Sequence, residues 1–370
     1  MIKTFFEKKS NIYLTIFALA IITISSIATY VYVSNKKTKT VGESQPQVLS
    51  AETEDVVFTP VPDFENKNTL SILLLGYGGA GHQGGFLSDV IQIVLFDFDK
   101  KTIAFISIPR DLYVSLPDGT TGKINTAFSL GEKKDPIHSG AQIAKKMATT
   151  VTGIPIDVFI SVDFVGFKRA IGGLLDGLVV NVTEPLNDPW YPIAGKELDT
   201  CGKTLEEVAQ LTNTLSGFEL ESQFECRYEH IQYSVGKHKM EGGDALAYVR
   251  SRHGSAGGDF SRSMRQQDLL LAIREKLFTL DALKKISTFY KEMIAHTDTD
   301  LNMDSIATLA PKLTTTIDMK TIGITLSTQN VLENSKSAEG AYTVVPKAGI
   351  NNWSETHSYI QTQLHKEDPQ

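Results

Sequence analysis

Four arginines fall within sixteen consecutive residues of the segment ALAYVRSRHGSAGGDFSRSMRQQ, which spans positions 245–267. The chain has only eight arginines among 370 residues and a formal net charge of −7, so this concentration is a local feature. Guanidinium groups bind phosphate through bidentate, charge-assisted hydrogen bonds. The segment therefore indicates a binding site for a phosphorylated ligand. Its candidate ligand-binding residues are Arg250, Arg252, Arg262 and Gln266.

Other polar residues stand at the ends of apolar segments. Arg110 and Asp111 end one such segment, in SIPRDLYV, and Asp89 precedes another. An arginine at the end of a buried strand is costly to desolvate unless it meets an anion. For a single arginine a salt bridge is the simpler interpretation, such as Arg110 with Asp111 or Arg262 with Asp259. We favour an anion-binding site, because several arginines converge where few acidic residues lie in the same stretches. Asp89 is then a candidate to hold Mg²⁺ between two phosphate groups.

The segment GYGGAG at positions 76–81 matches the G-x-G-x-x-G pattern of dinucleotide-binding loops. Such a loop presents the N-terminus of a crossover helix to a pyrophosphate. Here HQGGFLSDV follows and leads directly into an apolar strand pattern, which leaves no room for that helix. We therefore predict a glycine-rich loop at a strand end, of the kind that can line a site. The sequence has no G-x-S-x-G, HExxH or Walker motif.

The elements that position these residues follow an α/β pattern. Apolar strands alternate with amphipathic helices from Leu70 onward, which predicts a mixed central β-sheet flanked by helices. Hydrophobic residues make up 41% of the chain, enough for a buried core. An isoelectric point near 5.7 argues against nucleic-acid binding. The predicted strands are TLSILLLG, VIQIVLFDFD, KTIAFISIP, IDVFISVDF and DGLVVNV, and the predicted helices are SGAQIAKKMATTVTG, VGFKRAIGGLL, EGGDALAYVRSR and SRSMRQQDLLLAIREKL.

The N-terminal region indicates attachment to a membrane. Residues 11–34, NIYLTIFALAIITISSIATYVYVS, carry no charged side chain and are long enough to cross a bilayer, which takes about 20 apolar residues. A cleaved signal peptide has a shorter apolar region and a small-residue cleavage site, so we favour an uncleaved transmembrane anchor. Residues 1–10 are then a short N-terminus, residues 35–68 a polar linker, and residues 69–366 the folded domain.

Two cysteines, Cys201 and Cys226, lie in a polar part of the chain. They can form one disulfide in an oxidising compartment, and no Cys/His spacing typical of a metal site competes with that pairing. The distance between two sulfur atoms cannot be read from a sequence, so the pairing stays open at this point.

Several motifs taken together resemble the LytR-CpsA-Psr family. They are SIPRDLYV, GKINTAF, GKHKMEGGDALAYVRSR and GDFSRSMRQQ, in that order, and the resemblance extends over residues 70–365. It implies a membrane-anchored phosphotransferase that moves a glycopolymer phosphate from a polyprenyl-pyrophosphate carrier to peptidoglycan in cell-wall biogenesis. It also implies that residues 1–10 are cytoplasmic, that the catalytic domain lies outside the cell membrane, and that an apolar groove holds the prenyl chain.

The same resemblance assigns roles to individual residues. Asp89 is the implied ligand of Mg²⁺, with Mn²⁺ as the alternative ion, whereas we expect Arg265 and Gln267 to support their helix. The implied catalytic residues are Arg110, Asp89, Asp111 and Asp259, and the implied phosphate-binding residues are Arg110, Lys123, Arg250, Arg252, Arg262 and Gln266.

Two positions depart from the family pattern. Gly78 stands where the family usually has an aspartate, and Leu87 where it usually has an arginine. One metal ligand and one phosphate contact are therefore missing, which leaves His82, Gln83 or water to complete the metal shell. Two alternatives stay open on this ground. One is a non-catalytic protein that binds polyprenyl pyrophosphate or acts as a scaffold of envelope synthesis, and the other is a polyprenyl-pyrophosphate phosphatase.

Overall fold

The structure is a computed structural model that describes residues 64, 67–81, 84–132, 139–251, 254–255, 257–277, 296–301 and 303–366. The predicted anchor at residues 11–34 and most of the predicted linker lie outside these ranges. Within them, no helix is long and apolar enough to cross a membrane.

A six-stranded mixed sheet forms the centre of the domain, which confirms the predicted α/β architecture. In chain order its six strands are β1 Thr69–Tyr77, β2 Ser88–Asp97, β3 Thr102–Ser107, β6 Val158–Asp163, β11 Thr297–Thr299 and β12 Lys320–Thr325. Their order in the sheet is β11-β6-β1-β2-β3-β12, with β6 and β12 parallel to their inner neighbours and the other pairs antiparallel. Long runs of β-branched and aliphatic residues, which favour strands buried on both faces, build the inner strands.

The glycine-rich segment GYGGAG lies in the connection from β1 to β2. These two strands pair antiparallel, from Thr69 opposite Asp97 to Gly76 opposite Val90. A crossover helix joins parallel strands, so a dinucleotide-binding unit is excluded here, as the sequence predicted.

Helices cover both faces of the central sheet. On one face, α2 (Ser139–Thr152) and α9 (Ser354–Leu364) bury the largest hydrophobic core against β1, β2 and β3. On the other face lie α7 (Asp259–Leu277) and α8 (Met303–Thr314). They pack on the alternate side chains of the same strands, which point away from the largest core. The shorter helices are α1 (Thr126–Glu132) and α3 (Phe164–Lys168), and a π-helical turn, Arg169–Leu174, follows α3.

A second, smaller core lies beside α7. It is built by β7 (Leu178–Val182), β10 (Gly236–Met240) and α6 (Gly242–Arg250). The predicted strand DGLVVNV is therefore a strand, but it pairs with β10 outside the central sheet. This arrangement fixes the C-terminus of α6 against α7, so the two ends of the arginine-rich segment meet.

A lobe extends from this smaller core. It consists of β8 (Leu186–Pro192), α4 (Leu205–Thr214), α5 (Gly217–Glu221), a 3-10 turn (Glu225–Arg227) and β9 (Tyr228–Tyr233). Within it, β8 and β9 pair antiparallel. Two further hairpins flank the main core, β4 (Tyr113–Ser115) with β5 (Thr121–Lys123), and β13 (Leu332–Lys336) with β14 (Tyr342–Pro346).

Candidate phosphate-binding site

A cavity of about 290 Å³ lies where α6, α7 and β8 approach the start of β2. Its volume is near the lower end of the range for small-molecule sites, roughly 300 to 1,000 Å³. Three predicted phosphate-binding residues line it, Arg250, Arg262 and Gln266, and we call them the arginine clamp. The predicted metal ligand Asp89 lines the same cavity. The remaining wall consists of Val90, Asp188, Trp190, Tyr191, Pro192, Glu221, Tyr228, Val249 and Ser251.

Arg250 is the last residue of α6 and reaches the cavity from the C-terminus of that helix. The helix dipole favours a cation at this end. Its guanidinium carbon lies 4.2 Å from the centre of the Phe164 ring, and its side chain is hydrogen-bonded with Tyr191. Burial raises the pKa of Tyr191, and the charge of Arg250 opposes that shift. Two aromatic side chains therefore orient the guanidinium at the cavity wall.

Arg262 and Gln266 lie four residues apart on α7, so their side chains share one face of the helix. Each is only 8% exposed to solvent. A phosphate held against this face would be partly shielded from water, where charge-assisted hydrogen bonds are stronger. The pair supplies one charged and one neutral set of N–H donors.

Arg265, the third described arginine of this segment, does not line the cavity. Its side chain is 2% exposed and donates from Nε to the Tyr248 carbonyl at 2.8 Å. It also donates from Nη2 to the Ser251 carbonyl at 2.6 Å and from Nη1 to the Ser255 hydroxyl at 2.7 Å. Burial lowers the pKa of Arg265. Arg265 thus has a supporting role, but it holds the end of the neighbouring helix α6 and the turn after it rather than its own helix α7.

Arg110, Asp89, Asp111 and Lys123 form a chain of ion pairs at the end of β3. Arg110 Nη1 lies 2.5 Å from Asp89 Oδ1, and Arg110 Nε lies 3.5 Å from Asp111 Oδ2. Lys123 Nζ lies 2.6 Å from the other carboxylate oxygen of Asp111. The expectation that acidic partners are too few is therefore wrong for Arg110, because strand pairing brings Asp89 next to it. Among these four residues, only Asp89 lines the cavity.

Several predicted site residues cannot be placed in the cavity. Arg252, His82, Gln83 and the side chain of Asp259 lie outside the described residues. Roles for Arg110, Asp111 and Lys123 in phosphate contact or catalysis also stay predictions. The described part of the glycine-rich loop does not contribute to the cavity wall.

Sequence reasoning missed the wall that faces the arginine clamp. β8 and β9 contribute Trp190 and Tyr228 to it, which we call the aromatic wall. The Trp190 ring lies 5.4 Å from that of Tyr228 and 5.2 Å from that of Phe218, both edge-to-face. The run DPWYP was the available signal, because adjacent tryptophan and tyrosine between prolines are unusual in a strand.

Buried hydrogen bonds join the aromatic wall to the clamp side of the cavity. Asp188 is 1% exposed and accepts from the Ser251 hydroxyl at 2.6 Å and from the backbone N–H of Trp190 at 2.9 Å. Ser251 follows Arg250 directly, so this one carboxylate connects the two sides. Below it, Asp268 accepts hydrogen bonds from the Tyr248 hydroxyl and from Thr183. Burial raises the pKa of Asp268 and of Tyr248.

A disulfide closes the lobe that carries the aromatic wall. Cys201 and Cys226 are bonded, with their Cα atoms 5.6 Å apart. Arg227, the next residue, lies over the Phe224 ring at 3.8 Å and donates from Nε to the carbonyl of Asp199 at 2.6 Å. Tyr228 follows at once, so these contacts fix the base of β9 beside the cavity.

Removing this disulfide is expected to destabilise the lobe. Closing a loop of 25 residues restricts the unfolded chain, and the chain-entropy model assigns such a loop about 2 to 4 kcal/mol. Reduction should therefore speed proteolysis between residues 201 and 226 and lower the melting temperature. A variant with Cys201→Ser and Cys226→Ser, measured with and without reductant, is the control. If the double variant is as resistant as the native chain, the disulfide contributes nothing to the lobe.

Asp89 is the predicted ligand of Mg²⁺ and lies at the wall of the cavity. Among the described residues, the only group of three His, Cys, Asp or Glu side chains close enough to share an ion is Asp199, Cys201 and Cys226. Both of its sulfur atoms are in the disulfide, which removes them as thiolate ligands. Asp89 is in no such group and is paired with Arg110, so it offers Mg²⁺ a single carboxylate. Proteins that bind Mg²⁺ through one or two carboxylates take the other oxygens from water and substrate phosphates.

An α/β domain with an arginine-lined cavity beside its sheet is the class that the fold and site define. The model of the LytR_cpsA_psr family matches residues 26–356. The chain therefore belongs to this family, as the sequence motifs indicated.

Several curated relatives of this chain are named as transferases, whereas others are named regulatory protein MsrR. TagV of Bacillus subtilis (strain 168), a polyisoprenyl-teichoic acid–peptidoglycan teichoic acid transferase, is 27% identical over 78% of this chain, which spans 63% of that relative's length. TagU of Bacillus licheniformis, which carries the same enzyme name, is 24% identical over 81% of both chains. The crystal structure of B. subtilis TagV matches with a TM-score of 0.53 at 24% identity, over 82% of this chain and 99% of that one, and supports the fold.

Proposed function

We propose that this chain is a phosphotransferase that moves a glycopolymer phosphate from a polyprenyl-pyrophosphate carrier to peptidoglycan. The observation that carries the proposal is the convergence of Arg250, Arg262, Gln266 and Asp89 on one cavity. Family membership and the transferase names of the relatives support it. Residues 11–34 would anchor the chain in the cell membrane, with the domain on the outer side, where peptidoglycan lies.

The clamp suits phosphoryl transfer because such a reaction depends on positioning and on stabilising charge. In the proposed reaction, an acceptor hydroxyl oxygen bonds to the phosphorus that carries the glycopolymer. The bond from that phosphorus to the bridging oxygen breaks, polyprenyl phosphate leaves with the electron pair, and the hydroxyl proton is released. Arg250 and Arg262 would hold the phosphate oxygens from two helices while charge builds up on them, and Gln266 would add a neutral donor.

In the same site, Asp89 would bind the metal ion, and Arg110 would hold the Asp89 carboxylate in place. The ion pair at 2.5 Å orients the Asp89 carboxylate at the cavity wall. Mg²⁺ (or Mn²⁺), when bound, would neutralise part of the negative charge of the phosphate groups. Because Asp111 lies between Arg110 and Lys123, it would keep both cations in place rather than contact the substrate.

Two alternatives are tested together with this proposal. Gly78 and Leu87, which replace an expected metal ligand and an expected phosphate contact, favour a protein that binds the lipid without efficient transfer. A phosphatase would use the same clamp with water as the acceptor.

The deciding experiment gives the purified full chain a polyprenyl-pyrophosphoryl glycan, peptidoglycan and Mg²⁺. We expect glycan joined to peptidoglycan through a phosphodiester, and we expect a chelator to stop the reaction. Intact lipid retained by the protein would instead support the binding protein, and free glycan phosphate would support the phosphatase.

A further inference from the structure

We propose that the aromatic wall, Trp190 and Tyr228, is a subsite for a pyranose ring attached to the phosphate that the arginine clamp holds. This inference rests on the proposed function. It states which part of the proposed substrate the aromatic wall recognises. The occupant is a neutral sugar ring joined to phosphate, and four features of the cavity point to it.

An irregularity in β8 turns Trp190 into the cavity. Along β8 and β9, Asp188 lies opposite Ile231 and Tyr191 lies opposite Glu229. Two residues of β8, Pro189 and Trp190, therefore stand against one residue of β9. A regular strand would send Trp190 and Tyr191 to opposite faces, yet both line the same cavity. Bulges of this kind redirect side chains and occur often beside functional sites.

The aromatic wall is held at a fixed position relative to the clamp. Asp188 bonds to Ser251 and to the backbone of Trp190, so it ties β8 to the residue after Arg250. Tyr191 makes a second connection through its hydrogen bond with the Arg250 side chain. A group bonded directly to a phosphate in the clamp would meet this wall without any movement of the elements.

The chemistry of the wall fits a sugar better than a second phosphate or a lipid chain. Burial raises the pKa of Tyr228, and the negative charge of Glu221, which lines the wall beside it, adds to that shift. A carboxylate repels a further anion and is costly to cover with an alkyl chain. It accepts hydrogen bonds from hydroxyl groups, while the apolar C–H face of a pyranose packs on an aromatic ring.

The surroundings of Trp190 give it a defined orientation. Its two ring neighbours contact it edge-to-face at 5.2 and 5.4 Å. The disulfide at Cys226 fixes the start of β9, which carries Tyr228. A rigid aromatic surface loses little conformational freedom when a ligand binds.

The test compares two ligands that differ only in the sugar, farnesyl pyrophosphate and farnesyl-pyrophosphoryl-N-acetylglucosamine. With the full chain in mild detergent, Trp190→Ala should weaken binding of the sugar-bearing ligand about tenfold and leave the sugar-free ligand within about twofold. Trp190→Phe, which keeps a ring, should recover most of the loss. Tyr342→Ala removes an exposed aromatic ring of β14 and is the matched control.

A second measurement keeps the aromatic wall intact. The chain has two tryptophans, and Trp353 lies in the main core with 7% exposure. In a Trp353→Phe variant, all indole fluorescence comes from Trp190. The sugar-bearing ligand should change that emission, and farnesyl pyrophosphate at the same occupancy should not.

The outcomes separate the subsite from the proposed function. Equal weakening of both ligands by Trp190→Ala, or of neither, overturns the subsite and leaves the phosphate clamp standing. An equal response of the Trp190 emission to both ligands also overturns the subsite and leaves the phosphate clamp standing. A native chain that binds neither ligand overturns the clamp, the proposed function and the subsite together.

Discussion

Replacing Arg265 by alanine is expected to lower the free energy of unfolding by about 3 to 5 kcal/mol. The carbonyls of Tyr248 and Ser251 each lose a donor, and an unsatisfied buried acceptor costs about 1 to 3 kcal/mol. The missing side chain also leaves a cavity between α6 and α7, which adds to the loss. Denaturant unfolding of the variant and the native chain measures the difference.

The position of Tyr248 explains why the loss should be large. The last four carbonyls of a helix have no partner within the helix, and the Tyr248 carbonyl is one of them in α6. Arg265 satisfies it from the neighbouring helix and continues to the turn at Ser251. Without Arg265 the end of α6 would have to open to water, and Arg250 would lose its defined place at the cavity.

Controls distinguish this supporting role from a role in ligand contact. Arg265→Lys keeps the charge but cannot donate to three acceptors from one planar group, so an intermediate loss of stability is expected. Arg169→Ala removes an exposed arginine from the π-helical turn and should change stability by less than about 0.5 kcal/mol. If Arg265→Ala unfolds like the native chain but fails to bind pyrophosphate, Arg265 belongs to the clamp instead.

The contrast between Arg265 and Arg262 shows what the sequence could and could not predict. Periodicity predicted the helix that carries both residues, because apolar spacing follows the helical repeat. The family resemblance implied that Arg262 binds phosphate and that Arg265 supports a helix. Periodicity alone does not separate them, because which of two arginines three positions apart lines the cavity depends on how α7 is rotated against α6. That rotation follows from the packing of the smaller core, which no local pattern encodes.

The same distinction holds across the site. The strands of the central sheet were predictable, because long runs such as SILLLG and VIQIVLF have few alternatives to a buried strand. The pairing of Arg110 with Asp89 was not predictable from the sequence, because it joins residues 21 positions apart. The aromatic wall was not predictable either, since it depends on an irregular register between β8 and β9. Local sequence determines the individual helices and strands. The composition of the site is determined by the registers and packing angles between those elements.

Replacing Arg250 by alanine is expected to slow glycopolymer transfer about 100- to 1,000-fold, which is the usual cost of removing one preorganised donor from a transition state. Binding of the polyprenyl pyrophosphate should fall about ten- to a hundredfold, the equivalent of one charge-assisted hydrogen bond. Stability should change little. The contact with the Phe164 ring contributes about 0.5 to 1 kcal/mol, or a few degrees of melting temperature.

Arg250→Lys provides the sharper test of the clamp. An ammonium group keeps the charge at the end of α6 but cannot offer two parallel N–H donors to a phosphate or stack as a plane on Phe164. We therefore expect transfer by Arg250→Lys to stay at least about tenfold below the native rate, while Arg169→Ala transfers normally. Transfer rate, lipid affinity and melting temperature are measured for all three variants. Lower stability with unchanged affinity in Arg250→Ala would show that Arg250 is a structural residue, and the arginine-rich segment would then need another explanation.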